Sequence, residues 1–131
     1  MSVIERLLRR DGAGVDDLVI EPMNRRDLRR GVMAIEAVSY PKSWSHGVFE
    51  SELAQVRSGA RRYLVARRVD GRGRRRIVGY AGLWFNLDEA HVTNVAVQPD
   101  EQRSGVATAL LLELADAAIE RGCVAWTLEV R

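Results

Sequence analysis

The fold is decided by Asn94-Val95-Ala96-Val97-Gln98-Pro99-Asp100-Glu101-Gln102-Arg103-Ser104-Gly105-Val106-Ala107-Thr108, in the last third of this 131-residue sequence. Its first part has the apolar pattern of a β-strand, Pro99 interrupts strand pairing, and helical spacing of apolar residues begins at Val106. Gly105 at the turn lets the backbone approach a ligand, and the unpaired amides and dipole of the following helix would form an anion site there. The stretch has neither the Gly-Lys-Ser/Thr ending of a Walker loop nor the three glycines of a dinucleotide fingerprint. On this evidence an ordinary tight turn and a phosphate cradle both stay open.

The rest of the sequence predicts an α/β fold with a mixed, largely antiparallel central sheet flanked by helices. After Gly59 the residues take on the pattern of strands, and the turn-rich segment Asp70-Gly71-Arg72-Gly73 predicts an antiparallel hairpin. The last strand follows the last helix, so we expect a right-handed crossover there. The predicted strands are Leu18 to Met23, Tyr63 to Ala66, Ile77 to Phe85, His91 to Val97 and Val124 to Val130. The predicted helices begin at Asn24, Ser45 and Val106, and the first carries an apolar stripe of Leu28, Val32, Ile35 and Val38.

Length and composition indicate one domain. With 47% apolar and 29% charged residues, the chain can build a single core and is not a disordered one. We divide it into an N-terminal extension, residues 1–17, with the apolar spacing of a short helix, and a domain over residues 18–131. Cys123 is the only cysteine, which excludes an internal disulfide and favours a reducing, cytoplasmic location. A net charge of +2 and the lack of a long apolar run predict neither direct nucleic-acid binding nor a membrane span.

The segment from Gln102 to Ala107 resembles the Gln/Arg-x-x-Gly-x-Gly/Ala signature of the GNAT acetyltransferase superfamily, and Val95-Ala96-Val97-Gln98-Pro99 resembles the strand end before it. Further segments are similar to RimI-type ribosomal-protein alanine N-acetyltransferases, over roughly residues 18–131: Tyr40-Pro41-Lys42-Ser43-Trp44-Ser45, Asp88-Glu89-Ala90 and Leu128-Glu129-Val130-Arg131. The resemblance implies the GNAT fold. It also implies transfer of an acetyl group from acetyl-CoA to a primary amine, such as the N-terminal alanine of a ribosomal protein.

The resemblance assigns roles to individual residues. The amides of the turn would hold the pyrophosphate of acetyl-CoA, and these residues are Arg103, Ser104, Gly105, Val106, Ala107 and Thr108. The main chain of Val95, Ala96 and Val97 would pair with the pantetheine arm, with the Val97 amide on the thioester oxygen, where charge develops as an amine attacks. Glu129 matches the family position of the base that takes the proton of the amine. No metal ligand is implied.

The sequence departs from the family at its end. The family continues past Leu128-Glu129-Val130-Arg131 with a helix that bears a tyrosine general acid and with two more strands, so we expect a domain incomplete at its C-terminus. The uncovered last strand would then favour a homodimer. Two other functions stay open, namely acetylation of a small amine and a non-catalytic CoA-binding module. Cys123, His46 and His91 lack a nucleophile or metal pattern and are expected to be packing or surface residues.

Overall fold

A computed structural model describes residues 17–128 as a five-stranded sheet with helices on both faces. The strands lie in the sheet in the order of the sequence: β1 (Asp17–Pro22), β2 (Arg61–Val69), β3 (Arg75–Asn86), β4 (Glu89–Val97) and β5 (Ala125–Leu128). All neighbours are antiparallel except β4 and β5, which are parallel. The predicted mixed, largely antiparallel α/β fold is therefore confirmed. Glu129 lies outside the described residues, as does the helix predicted in the N-terminal extension.

Helix α1 consists of three consecutive segments, Arg25–Asp27, Leu28–Val32 and Met33–Ser39. Asn24 begins it with a capping box, because the Asn24 side chain accepts from the Asp27 amide and the Asp27 carboxylate accepts from the Asn24 amide. In the middle segment the Met33 amide donates to the Leu28 carbonyl, five residues back, which is the wider turn of a π-bulge. Gly31 leaves the helical conformation there, with φ 173° and ψ −35°, so the helix is kinked at the bulge. The predicted start of this helix is confirmed, and the bulge was not foreseen.

The bulge changes which residues of α1 face the core. Leu28, Val32 and Ile35 are buried as predicted, whereas Val38 is 66% exposed. An extra residue in the turn rotates the rest of the helix, so that Glu36 is buried and Val38 faces outwards. The prediction that Val38 completes the apolar stripe is wrong for this reason. At the bulge, a Cβ on Gly31 would lie 2.8 Å from the Ile77 Cβ, so glycine allows α1 to lie close against β3.

Two other helices complete the layers. Helix α2 (His46–Ala54) begins at Ser45, whose side chain accepts from the Val48 amide, and it packs with α1 on one face of the sheet through buried Phe49. Helix α3 (Val106–Glu120) packs on the other face, and the residues it buries there include Val106, Leu110 and Leu114. A short 3₁₀ turn, Pro99–Glu101, joins β4 to α3. The deciding stretch of sequence therefore does connect a strand to a helix.

Strand β5 lies at the edge of the sheet and pairs with β4 only from Glu89–Ala125 to Val92–Leu128. The more apolar side of this strand is the exposed one, with Trp126 39% and Leu128 57% exposed. Beyond Val92 the β4 strand contains a bulge, because Gly82 pairs with Asn94 and Leu83 with Val92. The second half of β4 therefore has no β5 partner among residues 17–128.

Candidate functional site

An open groove of about 470 Å³ lies between the second half of β4 and the start of α3. Every predicted cofactor-binding residue except Ser104 lines it: Val95, Ala96, Val97, Arg103, Gly105, Val106, Ala107 and Thr108. The wall is completed by the end of α1 and by the 3₁₀ turn, through Val38, Ser39, Pro99, Glu101 and Gln102. The end of α1 and the continuous stretch from Val95 to Thr108 thus meet around one groove.

The turn at Gly105 leaves free amides at the mouth of this groove. Gly105 has φ +86°, the left-handed region that glycine adopts readily, and it contributes no side-chain cap. The Ala109 amide donates to the Gly105 carbonyl at 3.0 Å. The amides of Val106, Ala107 and Thr108 precede that bond and have no acceptor in the preceding turn of a helix. Together with the helix dipole, they present partial positive charge to the groove.

A network of hydrogen bonds behind the Gly105 turn holds this turn to the sheet. We call this network the Glu101 clamp, and its residues are Glu101, Arg68, Arg76 and Ser104. The Arg68 Nε donates to Glu101 Oε1 at 3.0 Å, and the Arg76 Nη2 donates to Oε2 at 2.9 Å. The Ser104 hydroxyl donates to the Glu101 carbonyl, which is why the Ser104 side chain is directed away from the groove. Burial raises the pKa of Glu101, but the hydrogen bonds and charges of the two arginines outweigh it and hold that pKa below its usual value.

The clamp explains how a strained residue persists beside Gly105. Arg103 has φ +66°, and a non-glycine residue in this left-handed region costs about 1–2 kcal/mol. Such a conformation persists where the surrounding structure enforces it. Ser104 and Glu101, on either side of the short Gln102-Arg103 segment, are bonded to each other and to the sheet. The Glu101 clamp therefore holds the turn from Arg103 to Gly105 in this conformation.

The open edge of β4 forms the other side of the groove. The Gln98 amide donates to the Val78 carbonyl of β3 at 2.8 Å, and backbone groups alternate in direction along a strand. The backbone groups of Val95 and Val97 therefore point away from β3, towards the groove. At Val95 both groups are bonded to one side chain, since the Tyr40 hydroxyl donates to the carbonyl at 3.0 Å and accepts from the amide at 3.3 Å. Within residues 17–128, the Val97 amide and carbonyl have no such side-chain partner.

A buried carboxylate anchors the loop that carries Tyr40. Glu36 is fully buried, accepts from the Tyr80 hydroxyl and accepts from the Trp44 amide at 2.7 Å. The Trp44 ring packs edge-on against Phe49, with ring centroids 5.2 Å apart. Three residues that support the site were not predicted from the sequence, namely Glu36, Tyr40 and Glu101. The burial of Glu36 follows from the bulge in α1, so the helical pattern of the sequence did not predict it.

The remaining sequence candidates lie elsewhere. His91 is buried, hydrogen-bonded to Thr127 and tilted against the Trp84 ring at 5.2 Å between centroids. His46 lies 2.7 Å from Glu50 on the surface of α2, and Cys123 is half-buried as a free thiol. Among residues 17–128 no group of His, Cys, Asp and Glu could hold a metal ion. No helix in the same range is long and apolar enough to cross a membrane.

These features define a class of α/β protein in which an open strand edge and a free helix N-terminus share one groove. Comparison with known families places the molecule more closely. The model of the acetyltransferase (GNAT) family matches residues 29–131, and the chain belongs to this family. The resemblance drawn from Gln102 to Ala107 is therefore confirmed.

Individual relatives agree with this placement. A candidate [ribosomal protein bS18]-alanine N-acetyltransferase of Bacillus subtilis is 30% identical over 100 residues, covering 76% of this chain and 62% of the relative. The crystal structure of the ribosomal-protein-S18-alanine N-acetyltransferase from Escherichia coli superposes with a TM-score of 0.67 at 27% identity, covering 84% of this chain and 65% of that one. The PaiA N-acetyltransferase of Thermoplasma acidophilum, solved in complex with coenzyme A, has the same fold, with a TM-score of 0.62 at 16% identity, covering 82% of this chain and 75% of that one. The chain thus spans less than two thirds of the length of the first two.

Proposed function

We propose that this protein binds acetyl-CoA in the groove and transfers the acetyl group to a primary amine, with the N-terminal alanine of a ribosomal protein as the preferred acceptor. The observation that carries the proposal is the groove itself, where an anion-attracting helix N-terminus meets an open strand edge. Those two elements suit the two halves of acetyl-CoA, namely a pyrophosphate and an amide-bearing arm. The acceptor is chosen because the relatives from B. subtilis and E. coli carry that activity in their names.

The backbone groups that line the groove suit the polar groups of this ligand. The amides of Val106, Ala107 and Thr108 would bind the phosphate oxygens, and the lack of a side chain at Gly105 would let them approach. The edge of β4 would pair with the arm, and the Val97 amide would donate to an oxygen that gains negative charge during the reaction. When bound, acetyl-CoA supplies a thioester whose carbonyl carbon an amine can attack.

The attacking amine must lose a proton, and we propose Glu129 as the base that takes it. Glu129 follows Leu128, the last described residue of β5, and the proposal rests on its match to the family position. A carboxylate within hydrogen-bond reach of the amine, directly or through one water molecule, suffices for this step. The acceptor would then lie between β4 and β5, next to the arm.

The proposed phosphate cradle consists of Gly105 and the amides of Val106, Ala107 and Thr108. It is tested by Gly105→Val, because a branched side chain would fill the space where phosphate meets the backbone. Gly122→Val is a matched control. Gly122 has φ +80°, close to the +86° of Gly105, and a Cβ there meets no atom within 4 Å. Both variants should lose a similar amount of stability, but only Gly105→Val should weaken acetyl-CoA binding in calorimetric titration, by about tenfold or more. Unchanged affinity in Gly105→Val, or an equal loss in both variants, would contradict the cradle.

The acceptor is tested by turnover. A peptide with an N-terminal alanine should be acetylated faster than the same peptide with a blocked N-terminus and faster than small polyamine or aminoglycoside acceptors. A preference for small amines would support the small-molecule alternative, and tight acetyl-CoA binding without any turnover would support a binding module. Homodimerisation along the edge of β5 stays a prediction, which light scattering can check.

A further inference from the structure

The Tyr40 hydroxyl occupies the strand edge that the proposed ligand arm needs. Tyr40 lies directly after α1, 55 residues from Val95 in the chain, yet its hydroxyl is bonded to both backbone groups of Val95. A hydroxyl is a donor and an acceptor at once, so one oxygen atom satisfies an amide and a carbonyl together. Without it, a partly buried N–H and C=O would be left unpaired, which is costly.

Any arm that pairs with β4 at Val95 must take over these two hydrogen bonds. A replacement has to offer an acceptor to the amide and a donor to the carbonyl, at the spacing of a neighbouring strand. An extended arm with two amide groups can do so, because the carbonyl of one amide and the N–H of the other can face the same strand edge, whereas a hydrocarbon chain would leave both groups unpaired. Tyr40 therefore sets a chemical condition on the ligand, and not only a steric one.

The surroundings of Tyr40 allow this exchange without unfolding the helix. Its backbone is held in the ligand-free chain, because the Tyr40 amide donates to the Glu36 carbonyl at 3.2 Å and the Ser43 hydroxyl donates to the Tyr40 carbonyl at 3.2 Å. The backbone of Tyr40 is extended, with φ −130° and ψ 131°, so α1 ends before it. An exchange at Val95 therefore needs a movement of the Tyr40 side chain only, which is partly buried against the neighbouring core.

We propose that Tyr40 is a specificity-determining residue of the groove. Its hydroxyl reserves the Val95 edge for an amide-bearing arm and is exchanged for that arm on binding. The inference rests on the proposed function, since it assumes that acetyl-CoA is the ligand of the groove. It adds that Tyr40 competes with the arm for Val95, and that within residues 17–128 no side chain is bonded to Val95 in this way other than Tyr40.

Tyr40→Phe removes the hydroxyl and keeps the ring, so the competitor is lost while the packing is kept. Acetyl-CoA should bind this variant about fivefold to a hundredfold more tightly, the range expected for two hydrogen bonds that no longer have to be broken. The nucleotide half of CoA, which ends at the pyrophosphate, should bind the variant and the parent equally. Tyr63→Phe is the matched control, because Tyr63 donates to Glu52 at 2.8 Å and does not line the groove. It should change neither affinity.

Hydrogen exchange of the Val95 amide, followed by NMR, gives a measurement without turnover. The amide should exchange faster in ligand-free Tyr40→Phe than in the parent, and acetyl-CoA should slow it in both. Unchanged or weaker acetyl-CoA binding in Tyr40→Phe, an equal gain for the nucleotide half, or unchanged exchange at Val95 would each overturn the inference while acetyl-CoA binding itself stands. A parent protein that binds no acetyl-CoA would overturn the proposed function as well.

Discussion

Glu101→Gln tests whether the Glu101 clamp holds the cradle in place. The Glu101 side chain is 15% exposed, and its two oxygens accept from Arg68, 14% exposed, and from Arg76, 50% exposed. A hydrogen bond to a charged group contributes about 1.5–3 kcal/mol when shielded and an exposed ion pair about 1 kcal/mol or less, so we expect a loss of about 2–3 kcal/mol. Glutamine keeps the size and one acceptor oxygen, but it turns an NH₂ group towards an arginine.

The pH dependence separates the lost charge from a general loss of packing. The pKa of Glu101 is held below its usual value in the folded protein, so its contribution to stability is fully present above the pKa of the unfolded chain. It is lost as the pH falls through the lower, folded-state pKa. The difference in the free energy of unfolding between the parent and Glu101→Gln should therefore be constant near neutral pH and shrink below about pH 4.3, the ordinary glutamate value.

Urea unfolding from pH 7 to pH 3 measures this difference, and Asp100→Asn is the control. Asp100 is the neighbouring carboxylate, pairs with the same Arg76 at 3.4 Å and is 66% exposed, so its loss should be below about 1 kcal/mol. The reasoning is refuted if Glu101→Gln costs no more than Asp100→Asn, or if the difference from the parent stays the same at pH 3.

Two further predictions concern the start of α1 and the proposed base. Asp27→Ala should lower the free energy of unfolding by about 3–5 kcal/mol. The Asp27 side chain is 2% exposed and forms an ion pair with Arg67 at 2.8 Å, so the substitution leaves the charge of Arg67 without this buried partner. Arg25→Ala, which removes only an exposed pair with Glu50, should cost less than about 1 kcal/mol in the same urea assay. Glu129→Gln should lower turnover with an N-terminal alanine peptide by about a hundredfold to ten-thousandfold and leave acetyl-CoA affinity unchanged; turnover equal to the parent would exclude Glu129 as the base.

The candidate site was predictable where its signal is local. The strand, the breaker, the glycine and the helix of the groove follow one another between Asn94 and Thr108, so a pattern over a few residues was enough to predict them. The same holds for the capping residues Asn24 and Ser45, whose partners lie three residues away. The exposure of Val38 was not predictable in this way, because the helical stripe assumes a regular turn and the π-bulge breaks it.

The contacts that complete the site are decided by the tertiary structure, since their partners are far apart in the chain. The separations are 33 residues for Arg68 and Glu101, 44 for Glu36 and Tyr80, and 55 for Tyr40 and Val95. No periodicity spans such distances, and the residue types involved are common on any protein surface. The sequence by itself determined where the main strands and helices form and where the turn at Gly105 lies, because these depend on neighbouring residues. Only the folded sheet decided which side chains pin that turn and cover the edge of β4, because strand pairing brings those side chains together.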